Sequence, residues 1–235
     1  PNMSRDVSSL QPVDNFCQVE VESTRLKVTW HPLGAYSALV TSTSENPVWW
    51  QRLGSLPFAV AVLVACNALY IFLVALGNIT DYGTNFEFVK HVLSMDTTNF
   101  GAADGTGLDP DVMWRAITDP VVWNVAYIGL IIWESLAAIV LIGACVLWLR
   151  ALITRGTFDS ARIWSSIGLL MIIVLFFGGF ITVGGEWFQM WRSTAWNGLD
   201  PAFRNSVLAA ITLVLIHTTA QGWVRKVHVE NTSSH

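Results

Sequence analysis

The chain has 235 residues, of which 53% are hydrophobic and only 13% are charged, and its mean hydropathy is +0.49. A soluble domain of ordinary composition has about 25% charged residues, so this composition excludes that class and indicates an integral membrane protein. The formal net charge is −4, and no basic patch of the kind that binds nucleic acid is present. We therefore expect no nucleic-acid partner.

A polar arm at residues 1–54 precedes the apolar part of the chain. It lacks the apolar segment of a signal peptide, so we expect no cleavable leader. Residues 17–21 and 26–30 alternate apolar with polar side chains, and a turn at residues 22–25 would join them, which predicts a β-hairpin. An isolated hairpin is only marginally stable in water. We therefore expect a partner subunit to hold the arm.

Four apolar stretches are each long enough to cross a bilayer, which takes about 20 residues of helix. The sequence therefore predicts an all-α membrane protein, a four-helix transmembrane bundle that occupies residues 55–224 and is followed by a tail at residues 225–235. The predicted spans are residues 55–76, 121–149, 164–185 and 206–224.

The distribution of charge predicts the orientation of the bundle. Arg150, Arg155 and Arg162 lie between the second and third spans, whereas the loop between the first and second spans has seven acidic residues against two basic ones. Cytoplasmic loops carry an excess of lysine and arginine. We therefore expect a multi-pass protein of the bacterial cytoplasmic (inner) membrane with both termini, including the arm, in the cytoplasm.

The outer loops contain signals for helices of their own. Phe86, Val89 and Leu93 have helical spacing, which predicts a short amphipathic helix. Aspartate is a favoured N-cap and proline is tolerated at the first helical position, so Asp-Pro pairs predict helix starts. Those at residues 119–120 and 200–201 would begin the second and fourth spans, and the pair at residues 109–110 a short helix through Trp114.

Four motifs resemble those of the bacterial predicted small integral membrane proteins, a family of unknown function. They are TDYGTNFEFVKHVLSMDTT (residues 80–98), MWRAI (residues 113–117), Trp133-Glu134, and GGEWFQMWRSTAWNG (residues 184–198). The similarity covers about residues 56–216, so it implies the four-span architecture, and it supplies no activity. The long arm and the insertion at residues 101–111 depart from the family pattern and suggest a specialised, subunit-like member.

Glu134 is the first candidate functional residue. An ionisable side chain in the centre of a span costs about 2.5 kcal/mol or more and is expected to have a partner. Glu134 lies about 14 residues below the outer end of its span and His217 about 11, so at 1.5 Å per residue their depths differ by about 5 Å. We expect them to pair. The pair would form a proton relay or a structural hydrogen bond between helices, or its members would contact a partner protein.

The tryptophan-rich motif at residues 184–198 is the second candidate. Trp187, Met190 and Trp191 share one face at helical spacing, which predicts a short helix in the membrane interface. Glu186 is expected to meet Arg115 or Lys90 of the other outer loop. The resulting outer-face anchor and clasp comprises Glu186, Trp187, Trp191, Arg192, Trp196 and Arg115.

The sequence predicts neither an intrinsic cofactor nor a metal site. A haem held across a bundle needs two histidines within the spans, and only His217 lies in one; no cysteine and histidine cluster has the spacing of a zinc site. Asp104, Asp109 and Asp111 would supply oxygen ligands to calcium, although they do not match an EF-hand, and a solvated loop is the alternative. We expect bound lipid.

No motif of a catalytic site is present, and we predict a protein that is not an enzyme. The leading hypothesis is an accessory, non-catalytic subunit that aids assembly or stability of a larger bacterial membrane complex, with a respiratory oxidase or cytochrome supercomplex as host. Its partners would be other integral membrane subunits and membrane lipids. The alternative is a small proton-coupled transporter or channel that uses Glu134 and His217.

Overall fold

The structure is a computed structural model that describes residues 53–218 throughout, together with two strands of the arm. The chain divides into two compact units, Pro1–Trp49 and Trp50–His235. In the first unit, strands β1 (Asn15–Glu22) and β2 (Arg25–Pro32) pair antiparallel. These strands contain the two segments for which the sequence predicts a hairpin. Attachment of the arm to a partner stays a prediction, and the tail at residues 225–235 lies outside the described residues.

The described residues of the second unit contain five α-helices and one π-helix. Four of these helices, counting the fourth α-helix with its π-helical continuation as one, are long and apolar enough to cross a membrane, which confirms the predicted four-span fold. The elements are α1 (Leu56–Thr80), α2 (Tyr82–Ser94), α3 (Pro120–Thr154), α4 (Asp159–Ile173), the π-helix (Val174–Trp187) that continues α4, and α5 (Leu199–His217).

The Asp-Pro pairs predict the starts of α3 and α5. The Asp119 carboxylate accepts a hydrogen bond from the Val121 amide at 2.8 Å, which caps α3. Helix α5 begins at Leu199, one residue before the Asp200-Pro201 pair, although the Asp200 side chain does not cap it. The apolar span predicted from residue 206 began seven positions too late, because Asp200 and Arg204 made the first turn look polar. Those two side chains pair with each other on the helix surface at 2.7 Å.

Helix α3 is the centre of the bundle and packs along both α1 and α4. Its buried face contains small residues, which let neighbouring helices approach closely in membranes. Trp148 is buried between α3 and α4, and its indole N–H donates to the Ser165 hydroxyl at 2.9 Å. Only 28% to 33% of the most apolar window of each span is buried inside the chain, so most of the apolar surface faces outward.

The predicted amphipathic helix in the first loop is α2, which buries Val89 and ends at Met95 in a left-handed conformation with φ of 56°. Together, residues 81–119 and 188–198 cover one end of the bundle, which we call the cap end. The opposite end, where α3 joins α4 through Arg150, Arg155 and Arg162, is the arginine end.

The third span changes helix type halfway along its length. From Val174 to Trp187 its backbone is a π-helix, and the Phe188 amide donates to the carbonyl of Val183, five residues earlier. Most π-helices are single turns, often at functional sites, whereas this one has 14 residues. The sequence predicts an ordinary α-helix for this half of the third span. The wider turn alters which side chains share a face, and this affects the cap residues described below.

We predict that Gly168→Ala destabilises the bundle by about 1 to 3 kcal/mol through overpacking. A Cβ atom at this position of α4 would lie 2.5 Å from Cγ of Leu141 on α3. The measurement is the unfolded fraction in a denaturant titration in detergent. Combining Gly168→Ala with Leu141→Ala in one chain should recover part of the lost stability. Gly143→Ala is the control, since its Cβ would have no atom within 4 Å. Equal stability of both single variants would contradict the prediction.

Candidate functional site

Glu134 is buried in α3, with 4% of its surface exposed, and is connected to the cap by a chain of hydrogen bonds. Its Oε2 accepts from Nδ2 of Asn78 on α1 at 2.7 Å. The Oδ1 atom of Asn78 accepts in turn from Nδ2 of Asn85 on α2 at 2.6 Å, and Asn85 is exposed. Three helices are therefore joined by two side-chain amides that end on one carboxyl group.

The hydrogen bonds that join Glu134 to Asn78 and Asn85 place it near the cap end of the bundle. Asn78 lies two residues before the end of α1, and Asn205, in the second turn of α5, lines the same cavity as Glu134. Helix α3 extends beyond the end of α1. This is shown by Asn124, in the second turn of α3, which accepts a hydrogen bond at 2.9 Å from the hydroxyl of Tyr82 on α2. The middle of α3 is therefore not the middle of the bundle.

The predicted pairing of Glu134 with His217 is wrong. His217 is the last residue of α5, and its Nε2 lies 3.0 Å from the hydroxyl of Ser166 on α4, towards the arginine end. It is 12 residues beyond Asn205, which is about 18 Å along a helix. The depth estimate failed because it counted from each predicted span start, whereas α3 begins beyond its neighbours and α5 begins earlier than predicted.

Further polar pairs lie between α1 and α5. Asn205 donates from Nδ2 to the hydroxyl oxygen of Tyr70, and Asn67 donates from Nδ2 to the hydroxyl of Thr212 at 3.3 Å. Tyr70, Asn205 and Thr212 are not among the site residues predicted from the sequence. The seven-residue spacing of Asn205 and Thr212, two turns of helix on one face, was the available signal.

A cavity of about 190 Å³ adjoins Glu134 between α1, α2, α3, the π-helix and α5. Its polar groups are the Glu134 carboxyl, side-chain amides and two tyrosines, and its remaining walls are apolar and include three phenylalanine rings. The lining consists of Tyr70, Val74, Asn78, Asn85, Phe88, Val89, Tyr127, Leu130, Glu134, Phe176, Phe180, Gly198, Pro201, Ala202 and Asn205.

Arg192 connects the two loops of the cap. Its Nη1 donates to Oδ2 of Asp109 at 3.0 Å, and its guanidinium lies 5.2 Å from the ring centre of Trp191 and 5.8 Å from that of Phe100. The Phe100 amide also donates to the Arg192 carbonyl at 3.0 Å. A clasp between the loops therefore exists, but Arg192 forms it with Asp109, and not Glu186 as predicted.

Arg115 forms a second contact between the loops. Its Nη1 donates to the carbonyl of Trp187 at 3.3 Å, and its guanidinium lies between the rings of Trp114 and Trp187 at 5.4 and 5.2 Å. Glu186, which the sequence analysis paired with Arg115 or Lys90, is exposed at the end of the π-helix, and Lys90 pairs with Glu87 at 2.7 Å. The assignment of Glu186 to the clasp is wrong, because the wider π-helical turn changes its direction.

The predicted interfacial helix in the tryptophan-rich motif is also wrong. Gln189 has a φ of 51°, which interrupts the helix, and only a short 3₁₀ turn follows at Met190–Arg192. Met190 is 1% exposed, whereas Trp187 and Trp191 are 47% and 44% exposed. Met190 therefore does not lie on the same face as the two tryptophans. Trp196 stacks on His91 within the cap, with ring centres 4.7 Å apart.

The acidic loop contains no cluster of metal ligands in the described part of the chain. Asp109 is bound by Arg192 and, through its Oδ1, by the backbone amide of Asp111 at 3.1 Å. Within residues 53–218, no three side chains of the histidine, cysteine, aspartate and glutamate types come together as metal ligands would. The calcium alternative therefore has no coordinating geometry among these residues.

We predict that Asp109→Asn lowers the melting temperature at pH 7 and lowers it less at pH 3. The hydrogen bond from Arg192 holds the pKa of Asp109 below its ordinary value of 3.8. The carboxylate therefore stabilises the folded state above that value, and this stability is lost as the pH falls through the lowered pKa. Thermal unfolding at both pH values tests this, with Asp104→Asn as the control. A difference in melting temperature that is as large at pH 3 as at pH 7 would contradict the prediction.

Comparison with known proteins gives one match. The family model described as predicted small integral membrane protein (DUF2165) matches residues 56–219, which include all four apolar helices. No curated protein and no solved structure is detectably similar to the chain. The match covers well over half of the chain and confirms the resemblance seen in its motifs. The chain belongs to this family of predicted small integral membrane proteins, whose function is unknown.

Proposed function

We propose that this protein is an accessory, non-catalytic subunit of a larger bacterial membrane complex and aids its assembly or stability. The observation that supports this most directly is a pair of glycines on the outward face of α3. Gly129 and Gly143 are exposed, and a Cβ atom at either would meet no atom of the chain within 4 Å. They are 14 positions apart, which is about four turns, so they lie on one face.

Glycine in the interior of a helix costs about 0.5 to 1 kcal/mol relative to alanine. In membranes, this cost is offset where a second helix packs against the glycine, because the two backbones can then approach closely. No helix of the described chain occupies that position at Gly129 or Gly143. A helix of another subunit would fill it, with exposed Ile132, Leu136 and Ile139 packing between the two glycines.

For the host we propose a respiratory oxidase or cytochrome supercomplex of the bacterial cytoplasmic membrane, with both termini of this chain in the cytoplasm. The arginines of the arginine end and the acidic cap support this orientation, because positive charge is retained on the cytoplasmic side. A host of this kind contains haem, whose visible absorbance reports directly on co-purification.

We predict that Gly129→Leu combined with Gly143→Leu separates the protein from its complex. The added side chains would block the close approach of a second helix, whereas a Cβ atom at either position meets no atom of this chain within 4 Å. The measurement is the amount of companion subunits and haem that co-purify from native membranes in mild detergent, which should fall at least tenfold.

Gly77→Leu is the matched control, since Gly77 is exposed on α1 and a Cβ there also meets no atom within 4 Å. It should leave co-purification unchanged. Migration of the unaltered chain as a lone 26.0 kDa protein would refute the subunit proposal, and companions without haem would refute the respiratory host alone.

A proton-coupled transporter or channel is a second candidate, and the series of polar side chains along the bundle favours it. From the cap end the series runs through Glu134 and Asn78, then the Tyr70 and Asn205 pair, then the Asn67 and Thr212 pair, and ends at His217. Intramembrane polar groups of this kind often mark pathways for ions or protons.

We predict that, if the chain conducts protons, Glu134→Gln reduces the flux into proteoliposomes at least tenfold, because glutamine cannot exchange a proton. The assay follows a pH-sensitive dye inside vesicles after a pH jump. Glu186→Gln is the control, because Glu186 is exposed at the cap and contacts none of the polar series. Flux that is unchanged in Glu134→Gln would remove this candidate.

A further inference from the structure

The cavity beside Glu134 contains a carboxyl group without a matching positive charge. None of its lining residues is lysine, arginine or histidine. The only hydrogen bond to the carboxyl group from the described residues is that of the neutral Asn78 amide to Oε2. A carboxylate removed from water is stabilised by a paired positive charge. The neutral Asn78 amide does not supply this charge, so the carboxyl group favours a ligand that brings the charge with it.

Aromatic rings form much of the remaining wall of the cavity. The ring centres of Phe88 and Phe180 are 5.9 Å apart, and those of Phe176 and Phe180 are 5.6 Å apart. The ring of Tyr70 lies 6.2 Å from that of Phe176, and Tyr127 also lines the cavity. The faces of aromatic rings attract organic ammonium groups, and rings that surround a cation form the usual site for a quaternary ammonium ligand. A carboxylate among aromatic rings combines the two attractions that such a ligand requires.

The dimensions of the cavity limit the ligand to a small head group. Sites for drug-sized molecules enclose about 300 to 1,000 Å³, whereas this cavity encloses about 190 Å³. Large planar cations are therefore too big, and a trimethylammonium group is of suitable size.

A second groove of about 180 Å³ lies next to the cavity along the side of the bundle. It lies between α1 and α5, which contact each other less than α1 and α3 do. Tyr70 and Asn205 line both spaces, and the walls of the groove are mostly apolar, with Leu63, Leu208 and Ile211 among them. The groove faces the bilayer and is suited to an alkyl chain.

We propose that the cavity binds the ammonium head group of a single-tailed cationic amphiphile that enters from the bilayer. The head group lies against Glu134 among the aromatic rings, and the tail lies in the groove between α1 and α5. This site goes beyond the proposed subunit role and requires neither a partner subunit nor transport.

Isothermal titration calorimetry of the full chain in nanodiscs of zwitterionic lipid tests the proposal, with octyltrimethylammonium as the probe. We expect saturable binding of one probe per chain. Glu134→Gln should weaken it at least tenfold, because the charge is lost while the glutamine carbonyl still accepts from Asn78, so the fold is kept. Phe180→Leu should weaken binding severalfold, and Glu186→Gln, at an exposed position, should have no effect.

Two comparison ligands identify what the site recognises. Octan-1-ol has the tail without the charge, and tetramethylammonium has the charge without the tail; both should bind at least tenfold more weakly than the probe. If octan-1-ol binds as tightly as the probe, the site does not recognise the positive charge. If tetramethylammonium binds as tightly as the probe, the tail does not contribute and the proposed entry from the bilayer is overturned.

Unchanged affinity in Glu134→Gln, or no saturable binding by the unaltered chain, would overturn the proposal as a whole. Circular dichroism and gel filtration of each variant establish that it is folded. Because the isolated chain is measured at equilibrium, failure here leaves the subunit and transport proposals untouched.

Discussion

The interior of this protein depends on the hydrogen bond from Asn78 to Glu134. A carboxyl group buried between apolar helices requires a polar partner at its own depth, and Asn78 is that partner. The bond fixes the position of α1 along α3, and the further bond from Asn85 fixes α2 over both helices. The cavity beside Glu134 follows from this arrangement, since α2 covers it and α5 contributes its first turns to the wall.

The cap is held together by a different kind of contact, in which each of two arginines joins one loop to the other. Arg192 binds Asp109, and Arg115 binds the backbone of Trp187. Both guanidinium groups also lie against indole rings, an arrangement that adds cation–π attraction to the hydrogen bonds. The concentration of tryptophan and arginine in this family motif therefore has a structural explanation, whatever further role the cap has.

The elements of the fold could be predicted wherever the signal is local. The four spans follow from runs of apolar residues, α2 follows from the spacing of Phe86, Val89 and Leu93, and the start of α3 follows from Asp119. The π-helix could not be predicted, because its residues are compatible with an ordinary apolar helix. The apolar pattern alone placed the start of the fourth span too late, at residue 206, because Asp200 and Arg204 are charged residues that pair with each other on the helix surface.

The sequence by itself determined that the chain crosses the membrane four times and that Glu134 requires a partner, since both follow from the cost of placing polar groups in hydrocarbon. Only the tertiary structure decided that the partner is Asn78, that His217 lies towards the other end, and that arginines form the clasp. The reason is that relative depth depends on how far each helix is displaced along its neighbours. Packing across the whole bundle sets that displacement, and no single helix encodes it.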